Sequence, residues 1–262
     1  MNPLKETAEP EAGIDASSDG DGGRYTEDAI LSGKITVLQP KNGYRFSLDA
    51  VLLAFFVRAK KSDTIVDLGC GSGVIGLILA HRFPDVCVYG LELQRELAEA
   101  AAQNAMRNGF SDRVKVIQRD FTTLPCPGLP GKIDAVVSNP PFRKSGSGRP
   151  NPLSPKAIAR HEIAGSLAQA AEAASRLLSP RGSFFCVYPA SRLAHCVSTL
   201  CANGLEPKRL RMVHPKKDEP ASLILVEARK GSGPELLLEP PLFIHENGGY
   251  TAEISAMLGL DG

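Results

Sequence analysis

The chain has 262 residues, 43% of them hydrophobic, and carries 30 Lys and Arg against 29 Asp and Glu, a formal charge of +1. Those figures describe an ordinary folded protein, one large domain or a domain with small additions, and no apolar run nears the roughly 20 residues that cross a bilayer. The opening MNPLKETAEPEAGID lacks the basic and then apolar order of a secretory signal, so the expected location is the cytoplasm.

Charge is unevenly spread. Residues 1–28 hold eight acids and two bases, which leaves 28 bases against 21 acids in residues 29–262. That mildly basic remainder permits a nucleic-acid partner without demanding one. Residues 1–26, rich in Glu, Asp, Gly and Ser, read as a disordered acidic tail. Residues 27–60 read as a hairpin and a helix. In the hairpin, Ile35 to Phe46 forms two extended segments around a Lys41-Asn42-Gly43 turn. In the helix, Ser47 has the character of an N-cap, Asp49 sits in the first turn, and the apolar run Ala50 to Val57 follows.

From residue 64, strands and amphipathic helices alternate. Strands are predicted at 64–68, 86–91, 114–117, 133–137 and 183–188, and helices at 74–83, 95–108, 163–178 and 191–203. Two further strands, 209–213 and 222–228, are close enough to pair antiparallel. The pattern implies an α/β, Rossmann-like fold over residues 61–262, with a seven-stranded, mostly parallel sheet and an antiparallel last strand. Residues 143–160 form a long polar connection, and residues 241–251 an extended segment with a turn at Asn247-Gly248-Gly249. The six cysteines contain no CxxC pair, which favours reduced, mostly buried thiols over a zinc site, and no metal is implied.

Two stretches carry chemistry. Asp67-Leu68-Gly69-Cys70-Gly71-Ser72-Gly73 joins the first strand of the alternation to its helix, where glycines let a ligand approach the backbone and the helix start offers free N–H groups. Gly71, Gly73 and Gly76 satisfy GxGxxG, with Glu92 at the distance of a ribose-binding acid, so a dinucleotide enzyme is one reading. The acid before the glycines points elsewhere. DxGxGxG resembles the cofactor loop of S-adenosylmethionine-dependent methyltransferases. That resemblance implies that Asp67 and the loop of Gly69, Gly71 and Gly73 face the methionine part, Glu92 the ribose hydroxyls, and Asp120 with Phe121 the adenine.

The second stretch, Ser138-Asn139-Pro140-Pro141-Phe142, ends a buried strand. The prolines cannot extend a ladder and they hold Asn139 extended at the strand's carboxyl end. There the Asn139 side-chain oxygen and the Pro140 carbonyl can accept both hydrogens of an amino group whose lone pair is delocalised, while Phe142 stacks on the planar target. Positioning and electrostatics then carry the methyl transfer.

Taken with YRFSLDAVLLA (44–54), GLELQ (90–94), ARHE (159–162), VHPKKDEPASLILVEARKG (213–231) and the late GGYT, the chain resembles the bacterial tRNA(Val) adenine-N6 methyltransferase family. The resemblance implies S-adenosylmethionine as cofactor, a tRNA adenine beside the anticodon as acceptor, and Ser47 and Asp49 at the border of the cofactor pocket. Basic residues available to hold RNA are Lys41, Arg45, Arg143, Lys144, Arg149, Arg160, Lys208, Arg209, Arg211, Lys216 and Lys217. His161 and His214 read as structural hydrogen-bonding residues. The same motifs also serve guanine-N2 methyltransferases of ribosomal RNA and glutamine methyltransferases of proteins. A catalytically silent RNA-binding domain is the reading from outside enzymology.

Overall fold

The computed structural model describes residues 25–41, 45–141 and 166–260. A two-stranded hairpin, β1 (Tyr25–Ile30) and β2 (Ile35–Pro40), precedes helix α1 (Leu48–Phe56). Then β3 (Thr64–Leu68), α2 (Val74–Arg82), β4 (Cys87–Glu92), α3 (Arg95–Arg107) and β5 (Val114–Gln118) alternate as expected. They lead into β6 (Ala135–Ser138), α4 (Leu167–Leu177), β7 (Ser183–Pro189), α5 (Leu193–Ala202), β8 (Leu205–His214) and β9 (Leu223–Lys230). The sheet runs in the order β8-β9-β7-β6-β3-β4-β5, extended at the β8 edge by two-residue strands β10 (Leu237–Leu238) and β11 (Leu242–Phe243). Strands β3 to β7 are parallel to their neighbours, and β9 runs antiparallel between β7 and β8.

Both faces of this sheet are covered, and the strand pleat divides the apolar residues between them. Ile65, Val137, Phe185, Val187 and Leu225 pack in one core with the hairpin and helices α1 and α2. Val66, Val136, Phe184, Cys186, Ile224 and Val226 pack in the other with α4 and α5. All six cysteines are free thiols, four of them buried. Among the described residues no helix is long and apolar enough to cross a membrane.

The amino-terminal hairpin differs from its expected form. Ile35 to Pro40 pairs with Tyr25 to Ile30, not with residues beyond Lys41, and the turn runs through Leu31, Ser32 and Gly33 at φ 53°, 54° and 75°. Two side-chain-bearing residues in the left-handed region give no glycine signal to read. Meanwhile Asn42-Gly43 advertises a turn that does not join two paired strands; residues 42–44 themselves lie outside the described set. The late turn holds as read: Asn247 and Gly248, at φ 51° and 84°, link β12 (His245–Glu246) to β13 (Gly249–Tyr250) ahead of α6 (Ala252–Leu258).

At the far end of the sheet from the glycine loop, Arg209 fastens three segments. Its guanidinium, in a side chain 6% exposed, donates to Glu227 at 2.9 Å, Glu239 at 3.0 Å and the Phe56 carbonyl at 2.7 Å, and lies 3.8 Å from the Phe56 ring centre. Removing one partner of a buried pair strands the other charge, so Arg209→Ala is expected to cost about 3–5 kcal/mol, while Arg209→Met with Glu227→Leu recovers most of it. Thermal unfolding of the two variants checks this, the single one melting lower.

Candidate active site

The register of three parallel strands builds the site. Leu68 pairs with Leu91 of β4 and with Ser138 of β6, so the next residues, Glu92, Gly69 and Asn139, stand abreast at the carboxyl edge, about 5 Å from strand to strand. Gly69 and Cys70 continue the ladder by donating to Leu91 O at 2.8 and 3.1 Å, and Ser138 Oγ donates to Leu68 O at 3.0 Å. The glycine loop and the Asn-Pro-Pro turn are therefore next-door neighbours tied to the same strand end. Gly69, Gly71 and Gly73 sit at φ 70°, 56° and 85°, conformations that side chains disfavour, and Gly73 begins α2.

The two acids of the loop differ sharply. Glu92 uses Oε2 to accept the Gly71 N–H at 2.9 Å and Oε1 to accept the Gln94 N–H at 2.8 Å, which ties the loop to the start of α3 and leaves each oxygen a lone pair. Asp67 is 1% exposed and neither of its oxygens has a hydrogen-bond partner among the described residues. Burial, reinforced by the nearby charge of Glu92, pushes its carboxyl up to about 8. An orphaned buried carboxyl beneath a glycine loop fits a cationic ligand group that supplies the missing donors.

Asp120, after β5, accepts the Thr122 N–H and hydroxyl on Oδ1 at 2.8 and 2.7 Å, so it caps its own turn while Oδ2 takes no bond among the described residues. Phe121 is buried against the loop, its ring edge 3.9 Å from where a Cβ on Gly69 would stand. Helices α1 and α2 run side by side in one direction, because Arg82 at the end of α2 donates to the Ala54 and Val57 carbonyls at the end of α1. Ser47 and Asp49 thus open α1 at the same edge where Gly73 opens α2. The Asn139 side chain makes no hydrogen bond with the described residues; Pro140 is buried and Pro141 exposed. Phe142, Arg143, Lys144, Arg149, Arg160 and His161 lie outside the described residues.

Several basic residues expected to meet RNA are engaged within the fold. Arg45 binds Asp28 at 2.7 Å and Thr26 at 2.9 Å, Arg211 grips both oxygens of Glu253, and Arg209 is buried. Lys208 donates to the Gly233 and Pro234 carbonyls. These are structural cations, a correction that charge counting could not supply. Lys216 faces Glu219 at 3.4 Å and Lys217 is exposed. His214 takes the structural role read for it, with Nδ1 2.8 Å from Glu219 O.

Sequence reading missed Asn104. It is fully buried in α3 and joins Ser72 of the glycine loop to Leu38 of β2. The signal was present: Asn104 lies on the stripe of Leu97, Ala98, Ala100, Ala101 and Ala105, where a polar residue needs a reason.

The Asp67 shift has a stability consequence with a definite sign. Between pH ~4 and ~8 the folded carboxyl keeps a proton that the unfolded chain has released, so stability from this group falls as pH rises through that window, by about 5 kcal/mol in all. Asp67→Asn abolishes the slope. Melting temperatures of the ligand-free proteins from pH 4 to 8 should show the variant gaining on the original chain as pH rises.

Residues 59–222 match the family model described as a methyltransferase domain. A tRNA1(Val) (adenine(37)-N6)-methyltransferase from Bacteroides fragilis strain YCH46 is 31% identical over 193 residues, 74% of this chain and 80% of that one. The protein of the same name from Porphyromonas gingivalis strain ATCC 33277 is 34% identical over 191 residues, 71% of this chain and 74% of that one. Among solved structures, a predicted O-methyltransferase from Agrobacterium tumefaciens, Atu636, is 26% identical with a TM-score of 0.64 over 80% of this chain and 94% of that chain. A geranyl diphosphate methyltransferase in complex with SAM, 17% identical with a TM-score of 0.50 over 70% of this chain and 84% of its own, shares the fold. The methyltransferase domain, the extent of these matches and the row of Glu92, Gly69 and Asn139 agree: the chain belongs to the tRNA1(Val) (adenine(37)-N6)-methyltransferase family.

Proposed function

We propose that this chain transfers a methyl group from S-adenosylmethionine to N6 of adenine 37 in tRNA1(Val). The observation that carries the reading is the adjacency, fixed by register, of an orphaned buried carboxyl under a glycine loop and an amide held by two prolines. S-adenosylmethionine, when bound, supplies a methyl group made electrophilic by a positively charged sulfur.

The chain's own residues do the rest. Asp67, with no internal donor, suits the ammonium group of the methionine part, and an incoming cation favours its ionised form. Glu92 has lone pairs left for ribose hydroxyls after holding Gly71 and Gln94. Phe121 and the free oxygen of Asp120 are placed to take the adenine ring and its amino group. Ser47 and Asp49 stand at the same edge, where the resemblance puts the pocket border.

On the acceptor side, Asn139 and the Pro140 carbonyl take the two hydrogens of the target amino group, with the base extruded from the stacked loop and resting on Phe142. Holding both hydrogens localises the nitrogen lone pair toward the methyl group. Methyl transfer leaves a cationic nitrogen that then releases one proton. Lys217 and the run Arg143, Lys144, Arg149 and Arg160 serve as phosphate contacts, with Lys216 where it is not held by Glu219. Such an enzyme works where tRNA is processed, in the cytoplasm.

The deciding assay incubates the enzyme with labelled cofactor and either unmodified tRNA, ribosomal RNA or a release-factor-like protein, then identifies the product by mass spectrometry. N6-methyladenosine confined to tRNA is expected; N2-methylguanosine in ribosomal RNA or methylglutamine in protein overturns the acceptor. Asn139→Ala should lower turnover by at least ~100-fold while cofactor affinity stays nearly constant. Neutralising Arg143, Lys144 and Arg149 together should flatten the dependence of RNA binding on salt, read from affinities at several ionic strengths.

A further inference from the structure

The outer edge of β2 is finished by a helix. Leu38 pairs with Glu27 of β1, and its own N–H and C=O both go to one side chain of α3: Asn104 Oδ1 accepts the N–H at 2.7 Å and Nδ2 donates to the C=O at 3.0 Å. Two residues earlier, Thr36 makes the same pair of bonds with Asn108, at 2.9 and 2.7 Å. The spacing fits, because two residues of strand and four residues of helix each advance about 6–7 Å. Helix α3 thus acts as the missing neighbour strand of the hairpin.

Only Asn104 does more. Its second N–H donates to the Ser72 carbonyl at 2.9 Å, so both donors of this fully buried amide are used, one on the hairpin and one on the glycine loop. Ser72 lies between two glycines at φ 56° and 85°, a stretch with little intrinsic preference for one peptide orientation. Glu92 holds the loop at the Gly71 N–H and Asn104 holds it at the next residue's carbonyl. One turn earlier, Ala101 fills the space beside Gly73, its Cβ 3.1 Å from where a Gly73 Cβ would stand.

The hairpin reaches the other wall of the site as well. Gln39, 1% exposed, accepts the Phe46 N–H at 2.7 Å and donates to Asp28, which in turn holds Arg45. That fixes the backbone immediately before Ser47.

We propose that Asn104 is a positioning residue that couples docking of the amino-terminal hairpin to the shape of the glycine loop, so that hairpin order and cofactor binding stabilise one another. The inference rests on the cofactor reading above. Coupling is reciprocal: a ligand on the loop must tighten the hairpin by the same factor by which the docked hairpin tightens the ligand.

Hydrogen exchange on the unaltered full chain, with and without S-adenosylhomocysteine, reads this directly. The ligand is expected to slow exchange of the peptide spanning residues 35–40, although no residue of that peptide belongs to the proposed pocket. Asn104→Ala should abolish that protection and weaken S-adenosylhomocysteine about tenfold, with the loss in KM for S-adenosylmethionine and not in kcat. Asn108→Ala, which removes an equal pair of hairpin bonds but none to the loop, should speed hairpin exchange and leave the affinity within about twofold. Unchanged exchange at 35–40 on saturating the unaltered chain overturns the coupling, and equal affinity losses in the two variants reduce Asn104 to general stability. Should Asn104→Ala fail to fold, the exchange result on the unaltered chain decides alone. No binding of S-adenosylhomocysteine to the unaltered chain would instead overturn the cofactor reading.

Discussion

Leu68 pairs with Leu91 on one side and Ser138 on the other, and this register decides which residues meet at the carboxyl edge of the sheet. A slip of one residue would turn the Asp67 side chain to the opposite face and carry Asn139 away from the glycine loop. In a strand apolar on both faces the hydrophobic pattern specifies register weakly, so other contacts must pin it. Three do. Gly90 leaves room for Cys70, whose sulfur would stand 2.7 Å from a Cβ there; Leu91 O receives both Gly69 and Cys70 N–H groups; and Ser138 Oγ closes on Leu68 O. The glycine loop is thus locked to β4 by backbone bonds and by the absence of one side chain.

Within that frame Asp67 and Glu92 divide two tasks. Glu92 spends its charge on two backbone N–H groups and so builds the loop. Asp67 builds nothing: it is buried without a donor, and its carboxyl is pushed up to about 8 by burial first and by Glu92 second. A group that burdens the free fold and is relieved only by a cationic ligand is strain held at a functional position. Pairing Asp67 internally would stabilise the fold and fill the place the ligand needs.

The sheet was legible because its strands are short apolar runs between glycine and proline punctuation, and because TIVDL, CVYGLE and AVVS cannot be mistaken for surface helices. The site was legible where chemistry demands a residue type at a strand end, as at Asp67, Glu92 and Asn139. The hairpin was not, since its first strand begins in what reads as an acidic tail and its turn uses Leu31 and Ser32 in left-handed conformations. Nor were the partners of the arginines. Arg45, Arg209 and Arg211 look like free cations in sequence, yet each meets an acid 17, 18 or 42 residues away. Asn104 was hidden because its reason for being buried lies 66 residues off in β2.

That reassignment of arginines sharpens the electrostatics. With Arg45, Arg209 and Arg211 paired and Lys208 capping carbonyls, the positive excess of residues 29–262 is not a diffuse coat on the surface. The segment 143–160 holds five bases and no acid, and it follows directly on the Asn-Pro-Pro turn. The inner pocket, by contrast, is walled by Asp67 and Glu92. An anionic pocket suits a cofactor carrying a sulfonium and an ammonium, and cationic side chains bonded in sequence to the acceptor motif suit a polyanion that must present one base there. Because the two signs sit on adjoining stretches of chain, a nucleic acid is drawn to the Asn139 side of the edge and discouraged from the glycine loop, so each substrate finds its own half without competing for the other's.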